Sequence, residues 1–242
     1  MRYAYVPPPA SDAPGKSITL VLLPGGAGYI DLDEQGCARK LKGNSLIRSL
    51  PDFAREGFGT ALVDAPADYQ SDDGLGGYRT AKQHAEDLGK VIAEVRKKTG
   101  GAVWVVGTSR GSISAANAAS RLKGAALPDG VVLTSILSSG TTSGKRLYVS
   151  QTVFDLPLED IRMPALLIGH ANDTCARSPP GLMESVAKRI TGPRKQVVTI
   201  TGGPAFSGSG LAACEGHAPH GYTDQEAEVA AGIAKFIRGG TF

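Results

Sequence analysis

The segment Gly107-Thr108-Ser109-Arg110-Gly111 places a serine between two glycines, each two positions away. A serine hydroxyl acts as a nucleophile when it stands clear of its surroundings and a base takes its proton. A sharp strand-to-helix turn presents it in that way, by forcing the serine into a strained backbone conformation that flanking glycines leave room to close. The apolar run 102–106 predicts a strand and the alanine-rich run 112–122 a helix, so the pentapeptide falls on such a turn. The helix N-terminus adds positive potential where an oxyanion would form. The chemistry indicated is nucleophilic attack by Ser109. The bland alternative is an ordinary glycine turn, since the chain carries 32 glycines.

Such a serine needs a base that titrates near neutrality, which suits histidine. The chain offers four: His84, His170, His217 and His220. At 242 residues, with 41% hydrophobic and 20% charged residues, it has ordinary globular composition and length for a single domain over 1–242. The net charge of +3 is spread along the chain without a basic stripe, which argues against a nucleic-acid partner. The apolar runs are strand-sized, short of the ~20 residues of a membrane span. The first residues lack the apolar core of a signal peptide.

The elements that must position Ser109 read as alternating strands and helices. Strands are predicted at 17–23, 60–63, 102–106, 131–133, 165–168 and 197–200. Helices are predicted at 44–57, 78–98, 112–122 and 224–238, from apolar positions at helical spacing. This alternation implies an α/β fold: a mostly parallel central sheet with helices on both faces. The Ser/Thr-rich segment 138–160 reads as a small cap over the C-terminal edge of the sheet.

On the pentapeptide and this order of elements, the chain resembles the α/β-hydrolase superfamily. The resemblance implies the chain order nucleophile, acid, histidine. The acid follows a late strand, and 169–175 (Gly-His-Ala-Asn-Asp-Thr-Cys) looks like the acid loop, with Asp173 as the acid. Asp155 and Asp160 compete less well because neither directly follows a strand. The histidine follows the last strand, and His220-Gly221-Tyr222 is similar to the catalytic-histidine loop, with His217 the competitor. His84, within a helix, is expected at the surface, and His170 is expected to buttress the acid loop. The oxyanion hole implied takes one N–H from Arg110 and one from the glycine loop 24–28, at Gly26 or Ala27, which the sequence does not separate. Tyr29 and Arg110 are candidates to line the acyl pocket.

Segments 43–48, with Asn44 and Arg48, and 64–68 resemble a bacterial, often exported subgroup of the superfamily. Asn44 is equally a good helix N-cap, and Arg48 a partner for a carboxylate. No metal site has credible ligand spacing, and the glycine loop lacks the third glycine of a dinucleotide fingerprint, so no cofactor is expected.

Ester hydrolysis by an acyl-enzyme route is the leading expectation, acting on a small-molecule substrate as a monomer or small homo-oligomer. Thioester or amide cleavage, acyl transfer and a cofactor-free lyase or peroxidase-like activity would use the same residues. A non-catalytic binding protein on the same fold is the alternative of another class. If Asp173 and His220 meet, Cys175 and Cys214 lie within bonding reach, and a disulfide would clamp the two loops. That implies an oxidising compartment, periplasmic or secreted, whereas reduced cysteines would fit the cytoplasm. Cys37 is then expected as a lone buried thiol. Titration under denaturing, non-reducing conditions is expected to find one reactive thiol, and three would rule out the bridge.

Overall fold

The computed structural model describes residues 1–9, 17–141 and 147–242. Among the described residues seven strands form one sheet: β1 (Tyr3–Val6), β2 (Ile18–Leu23), β3 (Gly59–Val63), β4 (Ala102–Thr108), β5 (Gly130–Thr134), β6 (Ala165–His170) and β7 (Lys195–Ile200). Their order is β1-β3-β2-β4-β5-β6-β7. β1 pairs antiparallel with β3, and the other pairings are parallel. The central strands are apolar throughout because both faces are covered. Along β2, Leu20 and Leu22 pack with Phe53, Ile233 and Phe236, while Val21 and Leu23 pack on the opposite face with Leu88, Ile92 and Ile113. This is the two-residue alternation of a strand.

The helices are α1 (Ser45–Arg48), α2 (Leu50–Arg55), α3 (Lys82–Thr99), α4 (Arg110–Arg121), α5 (Met183–Arg189) and α6 (Glu226–Ile237). Buried residues of α3, α4 and α5 belong to one core cluster, and those of α1, α2 and α6 to the other. The α/β reading from the sequence therefore matches, but several elements differ. The helix expected over 44–57 is two helices, separated at Ser49. A continuous helix would put Pro51 in its interior, without an N–H to donate and with its ring against the Ile47 carbonyl. The helix expected from 78 starts at Lys82, because Asn117 Nδ2 on α4 donates to the carbonyls of Arg79 and Ala81 and holds them in a turn. β1 and α5 were not expected: β1 is a four-residue edge strand, and α5 has only seven residues.

The segment singled out as a cap, 138–160, lies partly outside the described residues. In its described part Val153, Leu156 and Leu158 are buried in the same cluster as α4.

His84 is buried, not exposed. It shares one α3 face with Leu88, Val91 and Val95, at helical spacing, and its Nε2 lies 2.8 Å from Ser114 Oγ on α4. Burial first, and the neighbouring Arg79 second, pull its pKa down to about 3 from 6.5. In the fold the imidazole stays neutral as pH falls, whereas in the unfolded chain it takes a proton below about 6.5. Stability is therefore full above that pH and declines as pH falls toward 3. Urea unfolding at pH 6, 5 and 4 is expected to show this decline. In His84→Gln the slope should flatten by about 1.4 kcal/mol per pH unit, one proton's worth. An unchanged slope would place the acid sensitivity elsewhere.

Candidate active site

β4 ends at Thr108 and α4 begins at Arg110, so Ser109 alone makes the turn. Its φ is 51° and its ψ −125°, a conformation costing about 1–3 kcal/mol for a residue with a side chain. A Cβ on Gly107 would collide with the Gly111 carbonyl, and one on Gly111 with the Leu23 carbonyl. The two glycines thus let α4 start against the ends of β2 and β4. The turn is held by Ser109 N–H donating to the Thr134 carbonyl at 3.0 Å and by Ser112 Oγ donating to the Ser109 carbonyl at 2.6 Å. Ser109 is half-buried at the C-terminal edge of the sheet.

The loop after β2 lies directly against it. A Cβ on Gly25 would stand 2.9 Å from Ser109 Cβ, so glycine is what allows this approach. Within the loop Gly28 N–H donates to the Gly25 carbonyl, and the Ala27 carbonyl accepts from Leu75 N–H at 2.8 Å. The N–H groups of Gly26 and Ala27 have no partner among the described residues. The far end of the loop is fixed by buried Asp64, whose carboxylate accepts from the N–H of Ile30, Leu32 and Ala65.

His220 and Asp173 meet: His220 Nδ1 is 2.8 Å from Asp173 Oδ2, with both side chains buried. Asp173 Oδ1 accepts from Cys175 N–H at 2.9 Å. Donation from Nδ1 to the carboxylate leaves Nε2 as an acceptor, and Nε2 is buried without a hydrogen-bond partner among the described residues. His217 is exposed, with its ring beside Gly43, and Asp155 and Asp160 are exposed. His170 Nδ1 accepts from Asn172 N–H within the acid loop, and its Nε2 faces Gln225 Oε1 at 3.0 Å.

The anchor common to both parts is the end of β5. Thr134 holds the N–H of Ser109, and the next residue, Ser135, donates its hydroxyl to the His220 carbonyl at 2.6 Å. The Tyr222 hydroxyl accepts from Ser135 N–H at 3.0 Å and donates to the Ile168 carbonyl at 2.9 Å. Burial pushes the Tyr222 phenol well above its ordinary pKa, so it stays a donor. From the other side, Arg48 pairs with Glu226 and donates to the carbonyls of Gly43, Gly216 (2.7 Å) and Gly221 (2.8 Å). Asn44 caps α1, accepting from Leu46 N–H. Ser135 carried no sequence signal, and Tyr222 stood out only as the aromatic after His-Gly.

Cys175 and Cys214 form a disulfide with Cα atoms 4.8 Å apart, joining the acid loop to the segment before His220. In the chain-entropy picture a bridge across this separation stabilises the fold by about 4 kcal/mol. Asp173, Cys175 and His220 offer ligand atoms within 4.8 Å of one another, but the Cys175 sulfur is in the bridge and so gives no thiolate. Cys37 is exposed, contrary to expectation. Its N–H caps the Asp33 carboxylate in a tight loop whose side chains face solvent. Tyr29 donates its hydroxyl to Asp31 Oδ1 and lies under Lys40 Nζ. Arg110 is half-buried beside Ser109.

No family model matches the sequence, and no curated protein matches it. Solved structures do. One is the structure of Est1E from Butyrivibrio proteoclasticus with ferulic acid bound, at 14% identity and TM-score 0.60, covering 95% of this chain and 94% of that one. Another is a putative non-heme bromoperoxidase, BpoC, from Mycobacterium tuberculosis, at 16% identity and TM-score 0.59, covering 98% and 96%. A third is the Paleococcus ferrophilus monoacylglycerol lipase, at 16% identity and TM-score 0.54, covering 84% and 90%. At these identities the likeness is one of fold.

Tyr222→Phe would remove the hydroxyl shared by Ser135 N–H and the Ile168 carbonyl, while leaving those two bonded directly to each other at 2.9 Å. Urea unfolding is expected to show a loss of about 1 kcal/mol, the net worth of a hydrogen bond, with the melting temperature falling accordingly. A change within about 0.5 kcal/mol would mean the hydroxyl holds nothing in place.

Proposed function

This chain has the α/β-hydrolase fold, and we propose that it is a serine hydrolase that cleaves a carboxylic ester through an acyl-enzyme intermediate. The observation that carries this reading is the buried Asp173–His220 pair. One imidazole nitrogen is committed to a carboxylate and the other is an uncommitted acceptor. Its loop is fastened to the same end of β5 as Ser109. All seven strands join one sheet, which supports one domain over the whole chain.

In the mechanism Ser109 Oγ attacks the ester carbonyl carbon while His220 Nε2 takes its proton. Asp173 holds the imidazole in the tautomer that leaves Nε2 free, and stabilises the imidazolium that forms. The backbone N–H of Arg110 and that of Gly26 or Ala27 receive the oxyanion, with the N-terminus of α4 adding positive potential. Collapse of the tetrahedral intermediate breaks the bond to the leaving oxygen, which takes the proton from His220. Water then attacks the acyl-enzyme with His220 again as base, releasing the acid and restoring Ser109.

Solved structures that share the fold carry the names esterase and monoacylglycerol lipase, which supports an ester over an amide or thioester. The Cys175–Cys214 bridge supports an oxidising compartment.

A fluorophosphonate probe is expected to label the wild-type protein at Ser109 and to leave Ser109→Ala unlabelled. On p-nitrophenyl esters of graded acyl length, His220→Ala should lower kcat by about 10³-fold or more. Absence of label on the folded protein would favour a non-catalytic binding role.

A further inference from the structure

Arg79 is among the largest fully buried side chains, lying behind the loop 24–28. Among the described residues no carboxylate pairs with it. Nη1 donates to Ser114 Oγ at 2.7 Å, and Nη2 to the carbonyls of Pro24 at 3.1 Å and Gly26 at 3.3 Å. Gly28 makes the space: a Cβ there would stand 2.5 Å from Nη2. The sequence offered no signal for this residue.

A buried cation without a counter-ion is costly, and proteins rarely keep one unless something compensates it. A guanidinium does not escape by losing its proton, even though burial and the nearby Arg110 charge both pull its pKa down. The three acceptors are neutral. One of them, the Gly26 carbonyl, belongs to the same peptide unit as the Ala27 N–H. In a trans peptide the two point in opposite directions. The guanidinium therefore sits on the carbonyl side, and the unspent Ala27 N–H faces away from it.

We infer that Arg79 is a positioning residue for the oxyanion: by binding the Gly26 carbonyl it fixes and polarises the Gly26–Ala27 peptide. Ala27, rather than Gly26, then supplies the second donor. Negative charge that develops on the ester oxygen is the counter-charge that Arg79 otherwise lacks. Since that charge exists only at the tetrahedral stage, the effect falls on kcat and leaves ground-state binding nearly untouched. The inference rests on Ser109 being the nucleophile.

The test compares Arg79→Met, Arg79→Gln and Arg79→Lys with wild type and Ser109→Ala. Hydrolysis of p-nitrophenyl acetate is measured together with inhibition by phenylboronic acid. In that adduct Ser109 Oγ bonds to boron, its proton passes to His220, and boron becomes a tetrahedral anion that mimics the intermediate. Loss of a whole oxyanion donor costs about 10²–10³-fold in kcat, so removal of a charge acting through one should cost about 10- to 100-fold. The neutral variants should show that loss, with KM within about 3-fold of wild type and boronate affinity weakened in parallel with kcat. Arg79→Lys should recover at least about a third of kcat, because it restores the charge.

Unchanged kcat in a folded neutral variant would overturn the inference. So would equal losses in the Lys and neutral variants with KM rising alongside, since that describes a loop prop. If neither neutral variant folds, Arg79→Lys decides alone: a folded Lys variant as inactive as Ser109→Ala overturns the inference, and one near wild type supports it. Activity retained in Ser109→Ala would instead sink the nucleophile assignment, whatever the Arg79 variants do.

Discussion

The close approach of α4 to the ends of β2 and β4 is the constraint from which the rest of the site follows. Gly107 and Gly111 leave no side chain between helix and strands, so the chain reverses through one residue. That residue, Ser109, takes a positive φ that an L-amino acid adopts only when its surroundings hold it there. The hold comes from Thr134 on one side and Ser112 on the other. Because the helix starts immediately, the positive end of its dipole lies next to Ser109. Gly25 extends the same logic to the neighbouring loop, which could not lie against Ser109 with any larger residue.

Around this point the loops are positioned mainly by buried polar groups. Apolar packing is non-directional, so it sets which face a helix covers but does not aim a loop. Hydrogen bonds in a low dielectric do aim, since leaving a buried donor or acceptor unmatched costs about 1–3 kcal/mol. Asp64 accepts from the N–H groups of Ile30 and Leu32 at one end of the loop that follows β2. Arg79 takes two carbonyls at the other. Arg48 and Tyr222 do the same for the histidine loop, and the disulfide ties that region covalently to the acid loop. Each is a long-range contact that fastens a segment rich in glycine, whose backbone would otherwise be loose.

The central strands were legible because burial on both faces leaves continuous apolar runs, and the long helices because their apolar positions recur at helical spacing. The failures have equally local causes. β1 has half-buried side chains and pairs at the sheet edge, so its pattern is faint. Pro51 is the local signal of the break in the first helix, and helical spacing of the apolar residues across it hides that break. His84 is polar, yet its spacing from Leu88 and Val91 puts it on the buried face of α3. Cysteine is usually buried, but Cys37 is exposed because its loop faces solvent.

By itself the sequence determined the α/β architecture and the strand-to-helix turn at Ser109, since both depend on residues adjacent in the chain. Through a family resemblance it also nominated Asp173 and His220, and with them the two bridged cysteines. It could not separate Gly26 from Ala27, nor single out Ser135 or Arg79. What matters about those residues is which atoms of distant segments they meet: the carbonyl of residue 220 for Ser135, the carbonyls of residues 24 and 26 for Arg79. Such partners exist only after the strands have assembled in the order β2-β4-β5-β6, which brings the loops at their ends to one edge. Chain order fixes local geometry, whereas the pairing of buried polar atoms is decided by the closed tertiary structure, where every donor must find its acceptor or pay for its absence.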